Sequence, residues 1–129
     1  MKNRDVYDLA LALLSENGDR TENGDYEERA GYLIAAFASE AEPIDRCLRE
    51  RMGMDGEETD IPIYLSLEEA FPLSDRFAPA AGNYLASMLI LDEDPDLSDL
   101  LFARYCDKIA AISQSIPMKS YSIADRYGM

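Results

Sequence analysis

Histidine does not occur in this chain of 129 residues. Its absence excludes Ser-His-Asp triads, Cys–His dyads and the usual zinc ligand sets. Cysteine is nearly absent as well. Cys47 and Cys106 are too few for a disulfide framework, and each falls on an apolar helical face, so buried, reduced thiols are expected. Lysine occurs three times, at Lys2, Lys108 and Lys119. With twelve bases against twenty-six acids, the clustered basic surface that phosphate contacts require is not expected, nor is sequence-specific nucleic-acid binding. No apolar run nears the ~20 residues that cross a bilayer. The start, MKNRDVYD, carries charge where a secretion signal needs an apolar stretch. The expectation is a cytoplasmic protein without membrane contact. Neither GxxxxGK[ST] nor GxGxxG is present to cradle a phosphate, and no GxSxG elbow offers a nucleophile.

What is present is a globular composition, 47% hydrophobic and 29% charged, of one domain's length. Twenty-six acids against twelve bases leave a net charge of −14. Such a surface favours solubility and repels the nucleic-acid backbone.

The apolar residues repeat at spacings of three and four, which predicts an all-α fold. A first helix over about 5–16 shares Val6, Leu9, Ala10, Leu13 and Leu14 on one face. A second opens at Asp25, where Asp25 and Glu28 fit a capping box. It carries Tyr26, Ala30, Leu33, Ile34, Phe37, Ala38 and Ala41 inward. Pro43 predicts a kink or a fresh start, after which Ile44, Cys47 and Leu48 continue inward while Arg46, Arg49 and Arg51 stay in water. Residues 53–60 read as a loop, and Ile61–Leu65 as an extended linker that could serve as an edge strand. Ser66 and Glu69 fit a second capping box opening a short turn of helix.

The third helix lies between Ser74 and Leu91, with Pro79 in its first turn and Phe77, Ala81, Tyr84, Leu85, Met88 and Leu89 inward. Its small residues Ala80, Ala81, Gly82 and Ala86 permit a neighbour to approach closely. The fourth, about 96–114, repeats Leu97, Leu101, Tyr105, Ile109 and Ile112, and Asp96 and Asp99 suit its positive N-terminal end. The expected core is Leu33, Phe37, Leu85, Leu89, Leu101 and Ile109. Together these predict a four-helix bundle-like domain over 1–116, with a kinked second helix and an extended mid-chain linker. A C-terminal arm follows over 117–129. The arm keeps Tyr121, Ile123 and Tyr127, which either fold back on the bundle or contact another subunit.

Two oxygen-rich stretches test for a metal. NGDRTENGD places Asp19, Asn23 and Gly24 on the calcium-loop pattern, but Ala30 stands where a bidentate glutamate must close the shell. DEDPD at 92–96 has Leu97 in place of the needed glycine and Ala103 in place of the glutamate. Helix capping and turning explain both stretches better than a metal does. Adjacent acids such as Glu27 and Glu28 or Glu68 and Glu69 point about 100° apart on a helix and do not converge. No catalytic residue, cofactor or metal site is expected.

The order of elements carries more. YEERAGYLIAAFASE leads to a basic segment with a proline, then to the extended IPIYLSLEEAF. Two helices joined by an acidic turn follow in LSDRFAPAAGNYLASMLILDEDPDLSDLLFARYCDKIAAI. Over roughly residues 5–115 this layout resembles the small helical head–tail connector (adaptor) proteins of tailed bacteriophages and prophages. Leu73, Ala81, Tyr84, Leu85, Ala86 and Leu89 fall in places comparable to that family's LPxxxxxALxxYLAxxL helix. Pro79 and the strong acidity depart from its pattern. The resemblance implies a structural protein without catalysis, forming a homo-oligomeric ring under the portal and offering a surface to tail or stopper proteins. It would be found in the virion and, during assembly, in the host cytoplasm. The arm would link subunits, and an acidic lumen would let DNA slide past without gripping it. The competing expectation is an acidic phage-encoded protein that mimics DNA against a host defence nuclease. The acids cluster in loops and at helix starts, which favours capping and solvation over mimicry.

Overall fold

A computed structural model describes residues 1–16 and 25–115 of the chain. Its helices are α1 (Asn3–Glu16), α2 (Tyr26–Arg51), α3 (Ala78–Ile90) and α4 (Pro95–Gln114), with one turn of 3-10 helix at Asp75–Phe77 leading into α3. The fold is all-α and bundle-like, as the periodicity predicts. The arm residues Tyr121, Ile123 and Tyr127 lie outside the described residues, as do 17–24 of the first oxygen-rich stretch.

α3 is the central element. Ten of its thirteen residues, from Ala80 to Ser87 with Leu89 and Ile90, are buried, more than the single inward stripe its spacing predicts, because neighbours enclose it on several sides. α1, α2 and α4 pack around it. The small residues on α3 act as expected: a Cβ on Gly82 would stand 2.6 Å from Leu9 Cδ2, so α1 lies closer than any larger residue would permit. Ser98 Oγ donates to the Ser87 carbonyl at 2.9 Å, and Ser87 Oγ to the Ser98 carbonyl at 3.0 Å. This pair satisfies polar groups that the close α3–α4 contact buries. Phe37, Leu85, Leu89 and Leu101 are buried, and Leu33 and Ile109 pack partly buried against them. Tyr84 and Tyr105 complete an aromatic cluster with Phe37, at centroid distances of 5.2–6.0 Å.

Several local expectations are corrected. Asp25 makes no capping hydrogen bond, because its backbone (φ −92°, ψ −5°) is already helical and not extended. Its carboxylate instead stands 3.7 Å from the Arg29 guanidinium one turn on. α2 does not restart at Pro43. Pro43 and Ser39, whose carbonyl loses its helical donor, are both exposed, so water can serve that carbonyl. Residues 61–65 form no strand, and Ser66–Glu69 make a single turn. Beyond that turn Ala70 pairs with Lys2 in an isolated antiparallel bridge. The Ser66 hydroxyl accepts from the Glu68 N–H at 3.3 Å and not from that of Glu69, and the Glu68 carboxylate accepts from Arg4 at 2.7 Å. Cys47 is half-buried and Cys106 exposed, both as free thiols; Cys106 sits on the side of α4 away from the bundle. The aspartate that caps α4 is Asp94, accepting from the Leu97 N–H at 3.1 Å. Capping thus does explain the DEDPD stretch. Among the described residues no group of three metal-ligating side chains converges.

Candidate interaction surface

The arginines of α2 do not all stay in water. Arg49 is 14% exposed, and Glu42 and Asp45 are buried beside it. Arg49 Nε donates to Asp45 at 3.0 Å, and its terminal nitrogens reach the Asp55 and Glu57 carbonyls at 3.0 and 2.9 Å. They also reach the Asp55 carboxylate and the Thr59 hydroxyl. Asp45 accepts in turn from the Ser74 N–H at 3.2 Å and from its hydroxyl at 2.5 Å. Glu42 faces both Arg46 and Arg49, at 3.6 and 3.8 Å. A planar guanidinium with several donors suits this task, since one side chain can hold a carboxylate and several carbonyls at once. Glu42 and Asp45 follow no apolar periodicity; their i,i+4 relation to Arg46 and Arg49 is the signal that marks them.

This clasp fixes where the chain crosses back over α2. Residues 61–65 then run along a face of α2 opposite Phe37, and the Leu65 N–H donates to the Gly31 carbonyl at 3.1 Å. A Cβ at Gly31 would stand 2.5 Å from the Leu65 carbonyl oxygen and strike the Tyr64 ring. Glycine is what permits so close a crossing. The Tyr32 and Tyr64 rings meet above it at a centroid distance of 4.9 Å, tilted by 58°. Between the crossing and α2 lies a cavity of about 300 Å³ lined by Tyr32, Ala35, Ala36, Ser39, Ile61 and Pro62, with Ile63 at its edge. Ile63 is 85% exposed and Tyr32 56%.

A second groove, of about 360 Å³, opens between α1, α3 and α4. On the far side of α2, the Tyr105 hydroxyl donates to Glu40 at 3.2 Å. Burial, together with the nearby Glu40 charge, pushes the Tyr105 phenol up to about 12 and raises that of Tyr84 as well. A raised phenol keeps its proton, so both tyrosines are neutral core residues and not bases, with Tyr105 also donating a hydrogen bond.

No family model matches the chain, and neither does any curated protein or solved structure. The surfaces themselves therefore carry the functional argument. What they can do chemically is bury apolar area against a partner: Ile63, Tyr32 and Tyr64 form a contiguous exposed apolar strip, the kind of feature that marks interaction sites. In the sequence alone Ile61–Leu65 reads as a linker, and nothing there singles out Ile63. The signal is the run IPIYL, four apolar residues and a proline, bounded by acids and a capping residue.

Proposed function

We propose that the chain is a structural assembly protein of the head–tail connector type, forming a ring beneath a phage portal and contacting tail or stopper proteins. The observation that carries this reading is the apolar strip of Tyr32, Ile63 and Tyr64 beside its groove. An isoleucine 85% open to water forgoes most of the ~1.5–3 kcal/mol its burial is worth, and packing against a neighbour recovers it. The helical order of the resemblance supports the same reading. A net charge of −14 suits a channel through which DNA must slide. In this reading the protein catalyses nothing and its task is association.

Light scattering and negative-stain electron microscopy of the purified chain, alone and with portal rings, test it. Rings or portal-bound copies are expected, and Ile63→Asp should weaken association at least tenfold while leaving helical content unchanged. A chain that stays monomeric and does not bind portal rings overturns the reading.

A further inference from the structure

The groove between α1, α3 and α4 differs in chemistry from the Ile63 strip. Leu9, Leu13 and Pro79 make its apolar part, Asn83 lies beside them, and Arg104 and Lys108 form its rim. The two cations are one turn apart on α4, both exposed, and neither has an ion-pair partner among the described residues. In a chain carrying twelve bases and twenty-six acids, two neighbouring cations above an apolar surface, with no ion pair among the described residues, specify their occupant's chemistry. It should be acidic, with an apolar tip.

The chain itself offers such a segment. Residues 52–58 follow α2, and Met52 and Met54 there are 57% and 59% exposed. Gly53 between them takes φ +77°, the left-handed conformation that favours glycine and turns the chain sharply. Glu57 and Glu58 follow, exposed and without an ion pair among the described residues. The Arg49 clasp holds the loop from beneath through the Asp55 and Glu57 carbonyls, so little ordering remains to be done on binding. Methionine, unbranched and flexible, fits irregular apolar grooves well.

We propose that the groove receives the methionine-tipped acidic loop 52–58 of a second copy of this chain, with Glu57 and Glu58 facing Arg104 and Lys108. This rests on the assembly reading above in taking self-association as the chain's task. Loop and groove are different patches of one surface, so the contact is heterologous, the kind that builds rings when its rotation closes. Opposite charges at the rim also suppress the wrong register, because acid against acid is repelled.

Native mass spectrometry and light scattering of the full chain at low salt, on wild type and two charge-reversed variants, test this. Arg104→Glu/Lys108→Glu and Glu57→Lys/Glu58→Lys should each weaken self-association at least tenfold, with circular dichroism unchanged. An equimolar mixture of the two should recover association, since each reversed loop then finds a reversed groove. If Arg104→Glu/Lys108→Glu associates like wild type while Ile63→Asp does not, the groove proposal falls and the assembly reading stands. A monomeric wild type that still binds portal rings has the same meaning. A wild type that is monomeric and ignores portal rings ends both. Two monomeric variants that fail to associate when mixed also overturn the loop–groove pairing.

Discussion

Tyr105 shows how a single side chain serves both packing and charge. Its ring packs against Phe37, Tyr84 and Phe102, while its hydroxyl donates to Glu40. The folded-state phenol is raised to about 12 against an ordinary value of 10.0. The stability linked to that shift is fully present below the unfolded value and is lost as pH climbs through the folded one. Urea midpoints measured between pH 9 and 12 should therefore fall over the upper part of that range, and Tyr105→Phe should flatten the fall. An equal fall in the variant would place its cause elsewhere. At acid pH the sign reverses for Glu68, whose carboxyl the Arg4 hydrogen bond holds below its usual range. Its contribution is present at neutral pH and disappears as pH drops through the lowered value, and it is small because both groups are exposed. Tyr105 was legible in the sequence as an apolar position of α4. Its bond to Glu40 was not, because a contact 65 residues apart leaves no mark in local spacing.

At the scale of elements, the crossing of 61–65 over α2 is the least legible part of the fold and the most consequential. The sequence indicates an extended, proline-broken stretch that could serve as an edge strand, and the structure makes it neither helix nor strand. The placement comes from Gly31 and from the Arg49 clasp, neither of which a periodicity argument weights. Gly31→Ala tests the point. In an open helix the change would stabilise by about 1 kcal/mol through propensity. Here the new methyl meets the Leu65 carbonyl oxygen at 2.5 Å, and backbone yields less readily than a side-chain tip. A net loss of about 1–3 kcal/mol is expected in chemical denaturation, as for overpacking elsewhere. A gain would mean that the crossing is free to lift away. Helices, by contrast, were legible to within a few residues, since a period of 3.6 is a local property. The exceptions were ends. Asp25 resembles a cap by residue type but lacks the extended backbone a cap needs, whereas Asp94 (φ −149°) does the capping for α4.

The whole molecule is organised around one helix. Leu85 lies near the middle of α3 with no exposed surface, enclosed by neighbours from the surrounding helices. Leu85→Ala should cost about 2–5 kcal/mol, the range for a buried leucine whose cavity cannot collapse, read from the shift in denaturant midpoint. A change below about 1 kcal/mol would mean that the surrounding helices are loose enough to refill the space. The core was legible from the sequence because its apolar residues repeat at helical spacing; the central place of α3 was not, since that spacing marks only one inward stripe on it. The interaction surfaces were less so. An exposed Ile63 and an exposed methionine loop look like ordinary apolar residues until the chain is folded and nothing among the described residues covers them.

The pairing of Lys2 with Ala70 has a further consequence. Three backbone hydrogen bonds join the first four residues to the 66–71 turn: Asn3 to Glu69, Arg4 to Leu67, and Phe71 to Met1. The Asn3 side chain, fully enclosed, adds a fourth tie to the Ser66 carbonyl at 2.9 Å. The turn that receives these bonds directly follows the crossing segment, so the start of the chain acts as its far fastening. Clipping off those four residues would leave most of every helix intact, yet release the ledge on which the exposed isoleucine is displayed.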